Sequence, residues 1–144
     1  MHKEMKRQQK GVMLIEALVG ILIFSIGILA IMGMQAISIK STIEAKYRTE
    51  ASFLANQIFG SIWADCGSPC TNATLSAYDT TSGGNAEMLA WRNNVAATLP
   101  GITVGGTNSP TIVVASNAVT VSVFWQIPGS TLTRQYSATA QINR

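Results

Sequence analysis

From Ala17 to Ile39 the chain runs for 23 residues, ALVGILIFSIGILAIMGMQAISI, without a charged side chain, and only Ser25, Gln35 and Ser38 dilute its apolar character. Coiled as a helix this run is ~34 Å long, enough for a hydrocarbon core of about 30 Å. It reads as a membrane-spanning helix, and the rest of the chain has to be arranged around it. On its N-terminal side Lys3, Lys6, Arg7 and Lys10 oppose only Glu4, a net charge of +3. On its far side Lys40, Glu44, Lys46, Arg48 and Glu50 nearly cancel. Positive charge is retained on the cytoplasmic side of a span, so the basic leader is expected to stay inside and everything from Lys40 onward to be exported.

The helical pattern continues past the membrane surface. Ile43, Tyr47, Ala51, Leu54, Ile58 and Ile62 recur every three or four residues and trace one apolar stripe, while Lys46, Glu50 and Asn56 fall elsewhere. Glu44 and Arg48 add an ion pair one turn apart, with the acid on the N-terminal side. No proline occurs before Pro69, so a single helix is predicted from about Val12 to Asp65, half of it greasy and half amphipathic. Cys66-Gly67-Ser68-Pro69-Cys70 ends it, and a polar loop follows to Asn85, with a short extended piece around Leu75 to Tyr78. A second helix is predicted from Ala86 to Leu99, where Met88, Trp91, Val95 and Leu99 share a face before Pro100-Gly101 stops it.

The remainder reads as strand. Val119, Val121, Val123, Trp125 and Ile127 alternate with polar residues, and so do Leu132, Tyr136, Ala138, Ala140 and Ile142. Pro128-Gly129-Ser130 forms the turn between them, and Thr111 to Ala115 pairs through Ser116-Asn117. The expected class is α+β: a long N-terminal helix, transmembrane then amphipathic, packed on a small antiparallel sheet.

Composition narrows the functions open to such a chain. Of 144 residues 47% are hydrophobic and only 12% charged, which argues against intrinsic disorder and against a free cytosolic domain. Beyond the leader six Lys and Arg balance six Asp and Glu, so the body lacks the clustered cations that a nucleic-acid footprint requires. The only histidine is His2, which removes Ser-His-Asp and Cys-His chemistry and His-ligated metals from the exported part. Glu44, Glu50, Asp65, Asp79 and Glu87 form no paired-carboxylate motif. No catalytic, cofactor-binding or metal-binding residue is therefore expected, and the chain is read as no enzyme. Trp63, Trp91 and Trp125 are expected as core anchors, and Arg134 is expected to snorkel at a strand end. Cys66 and Cys70 enclose three residues in a turn; after export they are expected to form a disulfide that stiffens the end of the long helix.

Two further residues stand at the membrane edge. Gly11 follows the basic stretch MHKEMKRQQK directly, and Glu16 places a carboxylate just inside the greasy segment, a costly position that marks a functional site. Gly11-Val12-Met13-Leu14-Ile15-Glu16 resembles the processing signal of type IV prepilins and type II secretion pseudopilins. The likeness continues through Ala17-Leu18-Val19, Ser25-Ile26-Gly27 and Met34-Gln35-Ala36, and returns at Trp91 and Leu99-Pro100-Gly101, where the chain is similar to the minor pilins called type IV pilus modification proteins. It departs from the common pattern at Val12, where many pilins have Phe, and at Gly33, where many major pilins have Pro.

The resemblance implies a leader, residues 1–11, removed by a prepilin peptidase that cuts after Gly11 and methylates the amine of Val12. It implies a fibre-core helix over residues 12–39, an exported pilin domain over residues 40–144, and an assembly role for Glu16 as partner of another subunit's amine. The implied partners are other minor and major pilins, the peptidase, the pilus assembly machinery of the bacterial inner membrane, and the membrane itself. Three functions remain open at this point: a minor pilin acting in assembly initiation at the fibre tip, a minor pseudopilin of a type II secretion system, and a tip adhesin or DNA-binding module, the last disfavoured by the neutral body.

Overall fold

The computed structural model describes residues 10–67 and 70–142. The leader up to Gln9, Ser68 and Pro69 of the proposed helix stop, and Asn143 and Arg144 lie outside the described residues. Helix α1 spans Lys10–Asp65, and no residue between these ends lacks a place in its hydrogen-bond ladder, as the absence of proline dictates. Short helix α2 spans Asn72–Ser76, a 3-10 turn spans Thr80–Ser82, and α3 spans Ala86–Thr98. Strands β1 (Thr111–Ala115), β2 (Ala118–Gln126) and β3 (Thr133–Gln141) form an antiparallel meander in the order β1-β2-β3. This is the α+β class expected, a long N-terminal helix with a three-stranded antiparallel sheet, and it is pilin-like.

The chain divides into two compact units, residues 1–42 and 43–144. In the first, every described side chain from Gly11 to Thr42 is exposed. In the second, the amphipathic part of α1 supplies Ala51, Leu54, Ala55, Ile58, Phe59 and Ile62 to a single buried cluster. Met88, Trp91 and Val95 enter it from α3, and Val119, Val121, Val123 and Trp125 from β2. Strand β2 is the middle strand, and its strict alternation of buried and half-exposed residues follows from one face lying on helices and the other on water. Arg134 on β3 ties the sheet to α1 through two hydrogen bonds to Glu44, Nε to Oε1 at 2.6 Å and Nη2 to Oε2 at 3.3 Å.

Local chemistry explains the connections. Asn85 caps α3 by accepting the Met88 amide at 2.8 Å, and Glu87 adds an acid to the first turn where the helix dipole favours it. The turn from β2 to β3 closes with the Ser130 amide on the Ile127 carbonyl at 2.9 Å, Pro128 fixing the first corner and Gly129 supplying φ +79° at the second. Gly101 is held at φ +75° with its α-carbon pressed on Gln126. A methyl group there would meet the Gln126 Cβ at 2.6 Å, so this position admits only glycine.

Four expectations are corrected. The piece around Leu75 to Tyr78 is not extended: Asn72–Ser76 is helical because the Thr71 hydroxyl accepts the Thr74 amide and caps a turn whose only buried residue is Leu75. Trp63 is no core anchor but 55% exposed, since it lies one residue past Ile62 and so about 100° around the helix from the buried stripe. Leu132, 67% exposed, precedes β3 and stays in the turn rather than joining the inward row. Arg134 does not snorkel to water but is held by the Glu44 carboxylate, which keeps its guanidinium charged by raising its pKa.

The other two tryptophans are buried in unlike ways. Trp91 Nε1 donates to the Leu54 carbonyl at 2.9 Å, stitching α3 to α1, whereas Trp125 Nε1 is buried with no partner among the described residues. Trp91→Phe should therefore cost ~1 kcal/mol more than Trp125→Phe, because only the first breaks a hydrogen bond. Urea unfolding of each variant, followed by circular dichroism, measures the difference.

Candidate functional site

The sequence-marked residues of the N-terminal unit lie together at the start of α1. Gly11 and Val12 occupy its first turn and Glu16 its second. Val12 and Glu16, four residues apart, share a face, so the carboxylate stands one turn from the amine that cleavage after Gly11 would create. All three are exposed, and no side chain among the described residues pairs with Glu16. Beyond them the surface is apolar all round: Leu18, Ile21, Leu22, Phe24, Leu29 and Met32 are each more than half exposed. Such a helix is stable only when lipid or other protein covers it. It is long and apolar enough to cross a membrane.

One polar side chain inside that segment serves itself: Ser25 donates its hydroxyl to the Ile21 carbonyl at 2.7 Å. A side chain at Gly20, Gly27 or Gly33 would meet nothing within 4 Å, so these glycines open three flat places on the surface where another helix can approach closely.

At the other end of α1 the Cys66 and Cys70 sulfurs are bonded, their α-carbons 4.6 Å apart, directly after the last helical residue. Nearby the buried Tyr78 hydroxyl lies between two carboxylates, hydrogen-bonded to Asp65 and, at 2.7 Å, to Glu87. It joins the end of α1 to the first turn of α3. Burial first, and then the two carboxylates, push the Tyr78 hydroxyl well above the ordinary phenol range, so it stays protonated at any physiological pH. A phenol that cannot ionise is a fastener rather than a base.

Asp79 is an unforeseen structural centre. Its Oδ1 accepts the Thr81 amide at 2.7 Å and the Thr81 hydroxyl at 2.5 Å, and its Oδ2 accepts the Val114 amide at 2.9 Å. Beside it Thr80 donates to the Ile112 carbonyl at 2.8 Å and accepts the Ile112 amide at 2.5 Å. Burial alone would raise the Asp79 pKa, but the hydrogen bonds from Thr81, Val114 and Ser82 outweigh it and hold the carboxyl below its ordinary value. The signal was present in the sequence as an Asp two residues ahead of a Thr, the pattern of a side chain that bonds its own backbone two residues on.

Two grooves mark the surface of the globular unit. One of about 660 Å³ is lined by Asn72, Ser76, Val114, Ser116 and Asn117, none of them ionisable. The other, about 210 Å³, lies between α1 and α3, and Glu87 is the only acid among the described residues that line it. Among the described residues no three His, Cys, Asp or Glu side chains come together to hold a metal ion. Among the described residues, neither groove pairs an acid with a base. Compared with known protein families, with curated proteins and with solved structures, the chain matches none.

Proposed function

We propose that this chain is a minor subunit of a type IV pilus, similar to the minor pilin PilV. Its N-terminus is cytoplasmic, residues 12–39 lodge in the bacterial inner membrane, and residues 40–144 face the periplasm. A prepilin peptidase cuts between Gly11 and Val12 and methylates the new amine. The inner-membrane assembly machinery then moves the helix into a fibre beside other minor and major pilins, where the subunit acts in assembly initiation at the tip. The protein is a structural component and not an enzyme. One observation carries this reading: a fully exposed apolar helix with a single carboxylate, Glu16, four residues from Val12, leading without a break into a helix that belongs to an α+β body.

The energetics follow from a shared solvent. The same apolar surface is satisfied by lipid before assembly and by neighbouring helices after it. Glu16 makes the second state preferable: an ionised carboxylate in hydrocarbon is penalised by about 2.5 to 3.5 kcal/mol, and an amine on an adjacent subunit relieves that penalty.

Intact-mass measurement of the membrane-bound protein, from a host that makes the peptidase, should show loss of the first eleven residues and one added methyl group. Glu16→Ala should leave cleavage and membrane insertion unchanged and reduce recovery in sheared pili by at least ~10-fold. A mature N-terminus after Ile39, or an uncut chain, would sink the pilin reading. Equal recovery of wild type and variant in pili would remove the assembly role of Glu16.

A further inference from the structure

Arg92 lies on α3 one residue after the buried Trp91, so the core fixes its backbone while its side chain leaves the packed face. Its Nη2 donates to the hydroxyl oxygen of Ser109, a residue only 7% exposed. The same oxygen accepts the Gly105 amide at 3.1 Å, from a loop in which the Gly106 amide closes a turn on the Thr103 carbonyl at 2.9 Å. What this meeting leaves over is donors only. Ser109 Oγ has received two hydrogen bonds and keeps its own proton to give. Arg92 Nε is buried with no partner, and Nη1 bonds no described group yet is not enclosed.

Arg134 shows how the same chain completes such a group. Both guanidiniums are partly buried, but Arg134 meets the Glu44 carboxylate through two hydrogen bonds. No described carboxylate bonds Arg92. Asp65 and Glu87 are engaged with Tyr78, and Asp79 is taken up by Thr81 and the Val114 amide. A partly buried cation beside a buried hydroxyl, both with protons to give, is an arrangement that an acceptor completes, and a charged acceptor completes best.

We propose that Arg92 is a docking point for a carboxylate, supplied by an acidic side chain of a partner protein. The planar guanidinium fork matches the two oxygens of a carboxylate, and one positive charge balances one negative. A phosphate group carries up to about two charges, and no other described cation bonds this loop. Magnitude selects the source. One charge-assisted contact by itself corresponds to a dissociation constant on the order of 10 to 100 mM. That is too weak to hold a free metabolite, but it is enough to select and orient a partner whose remaining surface supplies the rest of the affinity. Ser109 is the positioning residue: it pins Nη2, the Gly105 amide pins Ser109, and the fork is aimed before the partner arrives. The site belongs to the globular unit and does not depend on cleavage at Gly11.

The test follows the arginine Nε–H resonances of full-length, isotope-labelled protein in uncharged detergent micelles at about pH 6, where carboxylates are ionised. The arginines are Arg7, Arg48, Arg92, Arg134 and Arg144, and Arg92→Lys identifies the Arg92 resonance by deleting it. The probes, at constant ionic strength, are acetate and a blocked Gly-Glu-Gly peptide, with Gly-Gln-Gly as the uncharged control. Acetate and Gly-Glu-Gly should shift the Arg92 resonance saturably, with dissociation constants on the order of 10 to 100 mM, and Gly-Gln-Gly should not. Arg134, already held by Glu44, should not move. Ser109→Ala should weaken acetate at Arg92 by at least ~3-fold while the circular dichroism and the Arg134 resonance stay unchanged. On the unaltered protein, no saturable shift at Arg92, equal movement of every arginine resonance, or an equal response to Gly-Gln-Gly overturns the proposal. Acetate binding tighter than ~1 mM overturns it in favour of a free small carboxylate, and tighter binding of inorganic phosphate than of acetate overturns it in favour of a phosphate site.

Discussion

Ile58→Ala should destabilise the globular unit by ~3 to 4 kcal/mol, while Phe53→Ala on the same helix should cost less than ~0.5 kcal/mol. Ile58 is 1% exposed and sits in the one buried cluster, where removing three carbons leaves a cavity that α3 and β2 cannot both close. Phe53 is larger but 64% exposed, so its truncation removes little native contact. Urea titration of the full chain in micelles, followed by circular dichroism, gives both values. Equal losses would mean that the burial assigned to the two faces of α1 is wrong.

The second large effect belongs to Asp79. Asp79→Ala should cost ~2 to 3 kcal/mol, because it strips the Thr81 amide, the Thr81 hydroxyl and the Val114 amide of a charged acceptor at once. Its dependence on pH has a definite sign. The folded protein holds the carboxyl below its ordinary value, so on acidification the unfolded chain takes up the proton first. The contribution of Asp79 is complete above about pH 4, and it declines as pH falls from there towards the folded-state pKa. Asp79→Asn removes this charge without removing the shape, so melting temperatures of the variant should vary less between about pH 2 and 4 than those of the wild type. A variant with the same acid limb as the wild type would assign that limb to other carboxyl groups.

These contrasts show where the sequence was legible. The buried stripe of α1 was readable because helical periodicity places Ala51, Leu54, Ile58 and Ile62 on one side whatever they pack against. The same is true of β2, whose alternation depends only on the pleat. Trp63 was misplaced because apolarity was weighed above phase; its position one residue after Ile62 already excluded it from the stripe. Arg134 was misread for another reason, since its partner Glu44 lies ninety residues away and no local pattern brings them together. Tyr78, Asp79 and Thr80 fall in a polar stretch where composition says only loop, and their roles, with those of Asp65 and Glu87 beside Tyr78, exist only once β1 and α3 have docked. At the N-terminal end Gly11, Val12 and Glu16 stand out in the sequence more sharply than in the fold, because the role proposed for them involves another molecule.

The order of elements along the chain also sets a timetable. The buried stripe of α1 is complete at Ile62, yet Trp91, which bonds its Leu54 carbonyl from α3, comes about thirty residues later, and β2 begins only at Ala118. At a synthesis rate of about 5 to 20 residues per second, the stripe waits roughly 3 to 11 seconds for the middle strand of its sheet. Until then an apolar helix face is uncovered in a nascent chain, and a ribosome that stalls before Val119 leaves it so. A chaperone that recognises amphipathic helices has its opportunity in that interval, and so does aggregation.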